Sequence, residues 1–88
     1  MNVEFRQSFV RDLRRIRDRQ LADRVQEVIE QLELADSLLE LANVKAIRGH
    51  EQYFRVRVGD YRLGLFLEAD TAVIVRFLHR KDIYRYFP

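Results

Sequence analysis

Apolar residues recur every three or four positions in the first third of the chain and every second position further on. Phe9, Val10, Leu13 and Ile16 fall on one side of a helix, with Ser8 positioned to cap its start. A second stripe runs through Leu21, Val25, Val28, Ile29 and Leu32, while Asp23, Arg24, Gln26, Glu27, Glu30 and Glu33 occupy the other sides. Two amphipathic stripes in close succession predict a helical hairpin with one buried side. Ahead of them, Asn2 to Phe5 suits a short first strand. After them, Ala35 to Ala46 is apolar without a regular period and reads as a turn, a short helical piece and a connection. Its leucines, with Leu32 and Leu34 before them, suit core or a partner surface rather than a cofactor pocket.

From Gln52 the period is two. The run Tyr53-Phe54-Arg55-Val56-Arg57-Val58-Gly59-Asp60-Tyr61-Arg62-Leu63 predicts a β-hairpin whose tight turn, Gly59-Asp60, places a positive φ at the glycine. That loop pairs Val58 with Tyr61, Arg57 with Arg62 and Val56 with Leu63. Side chains alternate between faces. One face then holds Phe54, Val56, Val58, Tyr61, Leu63 and Leu65; the other holds Tyr53, Arg55, Arg57 and Arg62. A further strand, Ala72 to His79, follows a turn near Ala69-Asp70. If those two residues are the whole loop, His79 faces the side of Arg62; a three-residue loop reverses this. Leu63, Leu65, Phe66, Leu67, Val73, Ile74, Val75, Phe77 and Leu78 make the centre apolar on both faces, as expected where helices cover a sheet. The tail from Arg80 to Pro88 forms a last turn or short helix. The expected fold class is α+β: a short N-terminal strand, a helical hairpin, then an antiparallel β-meander with a short C-terminal turn or helix.

Composition narrows the chemistry. A length of 88 residues suits one domain, 1–88, with a modest core. Cysteine is absent, which excludes disulfides, zinc–thiolate sites and cysteine nucleophiles and fits a reducing cytoplasm. The opening Met1 to Arg6 has neither a basic leader nor an apolar signal segment, and no apolar run approaches the roughly 20 residues that span a bilayer, so a cytoplasmic protein without a membrane partner is expected. His50 has no metal-ligand company, and no phosphate-cradling glycine loop or nucleophile elbow is present, so neither a metal nor a cofactor is implied.

Charge is more telling in its distribution than in its total of +2. Residues 1–44 hold seven arginines against nine carboxylates, a net of −2, and residues 45–88 hold nine Lys or Arg against five, a net of +4. Fourteen of the sixteen basic residues are arginine, the type suited to bidentate phosphate contacts and to stacking on bases. Like charges opposite one another destabilise a sheet, so Arg55, Arg57 and Arg62 on one face of the hairpin either form a solvated surface or meet a polyanion. With His79, Arg80, Lys81 and Tyr84 beyond the third strand they supply cations for phosphate, rings for bases and groups that move protons. Cleavage of an RNA backbone by its own 2′-hydroxyl needs that set: attack on phosphorus, charge building on the phosphorane oxygens, and a 5′-oxygen leaving with a proton. DNA lacks the attacking hydroxyl.

These residues carry a family resemblance. In Val44-Lys45-Ala46-Ile47-Arg48-Gly49, in the hairpin run Tyr53 to Leu63, in His79-Arg80-Lys81-Asp82-Ile83-Tyr84, and in the helical opening from Phe9 to Ile16, the chain resembles the RelE/ParE superfamily of small bacterial and archaeal toxins. The final segment favours its RelE branch, which cleaves mRNA on the ribosome, over its ParE branch, which poisons DNA gyrase. The resemblance implies the toxin of a type II toxin–antitoxin system, a metal-independent endoribonuclease whose partners are mRNA, the ribosomal A site and a cognate antitoxin that covers its basic face. By the same resemblance, Arg62 contacts the scissile phosphate and Arg80 is a second phosphate-stabilising position. Tyr84 orients substrate and shares in proton transfer, and His79 stands where some branches use a histidine. Arg55 and Arg57 occupy positions of basic active-site residues, with Tyr53 and Lys81 as further substrate contacts.

The chain departs from the family at one point. A branch that uses hairpin lysines as proton donors is matched here by Arg55 and Arg57, and a guanidinium keeps its proton to above about pH 12. Proton transfer then falls to His79, a residue type that titrates near about 6.5, or to Tyr84. The alternative is a binding module: a gyrase inhibitor of the ParE kind, or a toxin that has lost turnover and only binds its antitoxin.

Overall fold

The computed structural model describes residues 1–88. Its elements are β1 (Asn2–Phe5), α1 (Gln7–Arg14), α2 (Arg19–Leu34), a 3-10 turn (Leu38–Glu40), β2 (Val44–Ala46), β3 (Tyr53–Val58), β4 (Tyr61–Glu68), β5 (Thr71–His79) and α3 (Arg80–Tyr86). The five strands form one sheet in the order β1-β5-β4-β3-β2, with β1 parallel to β5 and the remaining pairs antiparallel. Strand β2 lies within the stretch expected to be a connection. Three residues are too few to establish a period of two, and only pairing with β3 defines them as a strand.

The hairpin has the expected register. Val58 faces Tyr61, Arg57 faces Arg62 and Val56 faces Leu63 across a turn whose Gly59 has φ of +60°. Helices α1 and α2 cover one face of the sheet. Phe9, Val25 and Leu32 pack there with Val56, Val58, Leu63, Leu65, Ala72, Ile74 and Phe77, so both stripes bury their apolar side as their spacing requires. Asp18 caps α2 by accepting the Leu21 N–H at 3.3 Å. Ser8 does not cap α1, which begins after Arg6 with no side-chain cap.

The hydroxyl of Ser8 goes instead to the sheet. β1 ends at Phe5, opposite Ile74, and leaves the rest of the β5 edge without a strand neighbour. Side chains of α1 take over: Ser8 Oγ donates to the Val75 carbonyl, and Asp12 Oδ2 accepts the Phe77 N–H at 3.0 Å. Asp12 also accepts from Arg76, from Nε at 2.7 Å and from Nη2 at 3.1 Å, which accounts for a carboxylate buried amid an apolar stripe.

Val75 is also the residue that changes the outcome for His79. The β4–β5 loop is the two residues Ala69 and Asp70, since Glu68 pairs with Thr71. Between Gly64–Arg76 and Leu65–Ile74, however, Val75 is an extra residue, a β-bulge. Everything beyond it is displaced by one position, so His79 pairs with Tyr61 and Leu78 with Arg62. His79 therefore faces away from Arg62, contrary to the two-residue-loop expectation.

Helix α3 lies against the other face. Ile83 and Phe87 are buried there, and the Phe87 ring sits directly over Gly64. A Cβ built at Gly64 would meet Phe87 Cδ2 at 2.5 Å, so the absence of a side chain lets the C-terminal segment approach the sheet. His79 Nδ1 accepts the Lys81 N–H at 3.1 Å at the start of α3, and the Arg80 N–H reaches the Asp60 carbonyl at 2.8 Å. The first contact caps the helix and the second ties it to the hairpin turn. No helix is long and apolar enough to cross a membrane.

Candidate functional site

Between β2, the β3–β4 hairpin and α3 lies an open cleft of about 420 Å³, lined by Asn43, Val44, Lys45, Arg55, Arg57, Arg62 and Tyr84. Strand pleating accounts for the arginines: Arg55 and Arg57 are two residues apart on β3, and Arg62 pairs with Arg57 across the hairpin. Lys45 pairs with Arg55 on the other side and projects from the same face. Tyr84 arrives from α3, which the Phe87–Gly64 contact holds down on the sheet.

Each guanidinium has an anchor. The Arg55 guanidinium carbon lies 4.4 Å from the centre of the Tyr84 ring, a cation–π contact that fixes both side chains. Arg57 Nη2 donates to Asn43 Oδ1 at 3.0 Å, and the Arg57 N–H donates to the Asn43 carbonyl, also at 3.0 Å. Asn43 achieves this double acceptance with a φ of +66°, in the left-handed region that asparagine tolerates better than most residues. Arg62 Nη1 donates to the carbonyls of Gly59 and Tyr61, both at 2.9 Å.

Carboxylates are missing from this arrangement. The one ion pair of the structure is Arg76 with Asp12, outside the cleft. Four cations thus share one concave surface without a negative partner, although like charges this close repel. A bound polyanion removes that repulsion. The anchored guanidiniums present further N–H groups to a phosphate, and the exposed Tyr84 ring offers a surface for a base.

The structure brings together Arg55, Arg57, Arg62 and Tyr84. It separates the other sequence candidates from them. His79 lies on the opposite face, beside Asp12, Arg15, Tyr61 and Asp82, with its ring edge toward Tyr61 at 5.4 Å. Arg80 and Lys81 are exposed in the first turn of α3 and do not line the cleft. Tyr53 shares the arginine face, but its ring packs against Phe66, Phe87 and His50, in and beside a separate groove with Arg6 and Arg11. Sequence reasoning missed Lys45 and Asn43 as site residues because both belong to the unrecognised β2 region. The lysine in Val44-Lys45-Ala46 was the available signal. No group of residues suited to hold a metal ion is present.

Comparisons with known proteins agree with this fold. Residues 3–84 match the family described as the ParE toxin of the type II toxin–antitoxin system parDE. The chain is 40% identical to Toxin RelE3 of Methanocaldococcus jannaschii over the full length of both. Its fold superposes on the RelB–RelE antitoxin–toxin complex from Methanococcus jannaschii with a TM-score of 0.83, at 38% identity over 97% of this chain and 99% of that one. The RelBE2 toxin–antitoxin complex of Mycobacterium tuberculosis gives a TM-score of 0.68 at 32% identity, over 92% of both chains. The model match carries the ParE name and these relatives the RelE name, two branches of one superfamily. By family match, full-length similarity and fold, the chain belongs to the RelE/ParE superfamily, the toxins of type II toxin–antitoxin systems.

Proposed function

We propose that this toxin is an endoribonuclease that cuts mRNA in the ribosomal A site, and that a cognate antitoxin restrains it by covering the cleft. The observation that carries this reading is the cluster Lys45, Arg55, Arg57 and Arg62 around Tyr84 with no carboxylate among them. In the reaction the 2′-hydroxyl attacks the adjacent phosphorus. Arg62 and Arg57 contact the non-bridging oxygens as their charge grows, and guanidiniums already anchored by Asn43 and the turn carbonyls need little reorganisation to do so. Tyr84, steadied by Arg55, holds the neighbouring base so that the attacking oxygen and the leaving oxygen lie in line. Relatives solved with RelB support an antitoxin partner, and Leu34 and Leu39, 86% and 94% exposed, give an apolar partner a place to bind.

The test is induction in cells, scoring growth arrest and mRNA cleavage, beside an Arg62→Ala, Tyr84→Phe double variant. Arrest and cleavage by the parent with loss of both in the variant is expected; equal toxicity from the variant would refute this site. The ParE name of the matched family favours a second reading, inhibition of DNA gyrase. Supercoiling by purified gyrase with the toxin added separates the two: inhibition without mRNA cleavage supports the second.

A further inference from the structure

We infer that Lys45 is the acid of the cleft, donating a proton to the departing 5′-oxygen as RNA is cut. The inference rests on the ribonuclease reading above and adds the group that moves the proton. Cleavage needs both charge stabilisation and protonation of the leaving oxygen. The three arginines serve the first need and not the second, because a guanidinium keeps its proton throughout the working pH range. Of the two residues expected to carry the proton, His79 faces the other side of the sheet, and Tyr84 has its ring held under the Arg55 guanidinium.

The chain has only two lysines, and they are placed differently. Lys81 sits exposed in the first turn of α3, outside the cleft. Lys45 lines the cleft, directly opposite Arg55, where opposed Cβ atoms stand about 5 Å apart. Its state also differs from that of its neighbours. Arg55 rests on Tyr84, Arg57 is held by Asn43 and Arg62 by the turn, whereas Lys45 has no side-chain hydrogen bond and no ion pair. It is the unanchored cation among anchored ones, on a flexible four-carbon stem that can follow a leaving group.

The step balances without a further reagent. The 2′-oxygen bonds to phosphorus while its proton passes to water in the open cleft. The bond from phosphorus to the 5′-oxygen breaks, its electron pair stays on that oxygen, and the Lys45 ammonium supplies the proton. A 2′,3′-cyclic phosphate and a 5′-hydroxyl result, and the neutral amine regains its proton from solvent.

A substrate whose leaving 5′-oxygen is replaced by sulfur tests this, because a thiolate departs without being protonated. Cleavage of ribosome-bound mRNA, ordinary or sulfur-substituted at the scissile position, is measured for the parent, Lys45→Arg and Lys45→Met. Lys45 is exposed, so neither change disturbs the core. Lys45→Arg, which keeps the charge, is expected to slow the ordinary substrate by about 100-fold or more while cutting the sulfur substrate within about threefold of the parent. Equal losses on both substrates, or a parental rate for Lys45→Arg on the ordinary one, would overturn the assignment to Lys45 and leave the ribonuclease reading intact. Failure of the parent on both substrates would overturn the ribonuclease reading, and this inference with it.

Discussion

Arg55 and Tyr84 hold one another: the guanidinium lies over the phenol ring at 4.4 Å, joining the middle of the sheet to the last helix. Neither side chain has another anchor in the cleft. The pair therefore acts as a unit, and Tyr84 is valuable for its ring as well as its hydroxyl. Tyr84→Phe should bind single-stranded RNA nearly as well as the parent. Tyr84→Ala also loses the cation–π contact, about 0.5–1 kcal/mol at an exposed site, and should bind roughly two- to fivefold more weakly. Fluorescence anisotropy at one fixed salt concentration makes the comparison.

The β-bulge at Val75 yields a prediction about His79. With the histidine on the helix-covered face and its Nδ1 engaged by the Lys81 N–H, its removal should leave chemistry in the cleft alone. His79→Asn keeps a residue able to cap α3. Its rate of mRNA cleavage should stay within about threefold of the parent, a limit of roughly 0.65 kcal/mol in barrier height. A loss of about 100-fold would mean that the histidine reaches the reacting atoms after all.

Gly64 links stability to the site. In Gly64→Ala the new methyl group would overlap the Phe87 ring, so either the ring or α3 must move. Overpacking of this kind costs about 1–3 kcal/mol, visible as a lower denaturant midpoint, and cleavage should fall as Tyr84 shifts with its helix. Gly64→Ala combined with Phe87→Ala should show less than the summed loss of the two single variants, because the clash disappears.

Asp12 is the buried charge on which the β5 edge depends. Asp12→Ala leaves the Phe77 N–H and the Arg76 guanidinium without their acceptor and should lower unfolding free energy by about 3–5 kcal/mol. Asp12→Asn retains an acceptor oxygen and should lose clearly less. Urea unfolding followed by circular dichroism ranks the three proteins.

The parts of this molecule that local pattern controls were legible in its sequence, and the parts set by one residue of register were not. The hairpin register followed from Gly59-Asp60 and strict alternation, which alone brought Arg55, Arg57 and Arg62 to one face. Both helices followed from their stripes. Nothing in the run of apolar residues from Ala72 to Val75 marked Val75 as the bulged one, since either register buries hydrophobic side chains, and the placement of His79 hung on that residue. Nothing local marked the burial of Asp12 among Phe9, Leu13 and Ile16, because its partners lie 64 and 65 residues away. Lys45 and Asn43 entered the cleft through a strand too short to announce itself.

The way α1 closes the margin of β5 bears on how this protein avoids its own kind. A bare ladder of N–H and carbonyl groups is a template for another extended chain. Here Ser8 and Asp12 occupy that ladder past Ile74. What remains open is the outer side of β1, four residues long, and of β2, three residues long. Runs so brief offer little purchase for sheet growth, so a copy of this chain released from its partner is guarded against stacking edge to edge into an aggregate.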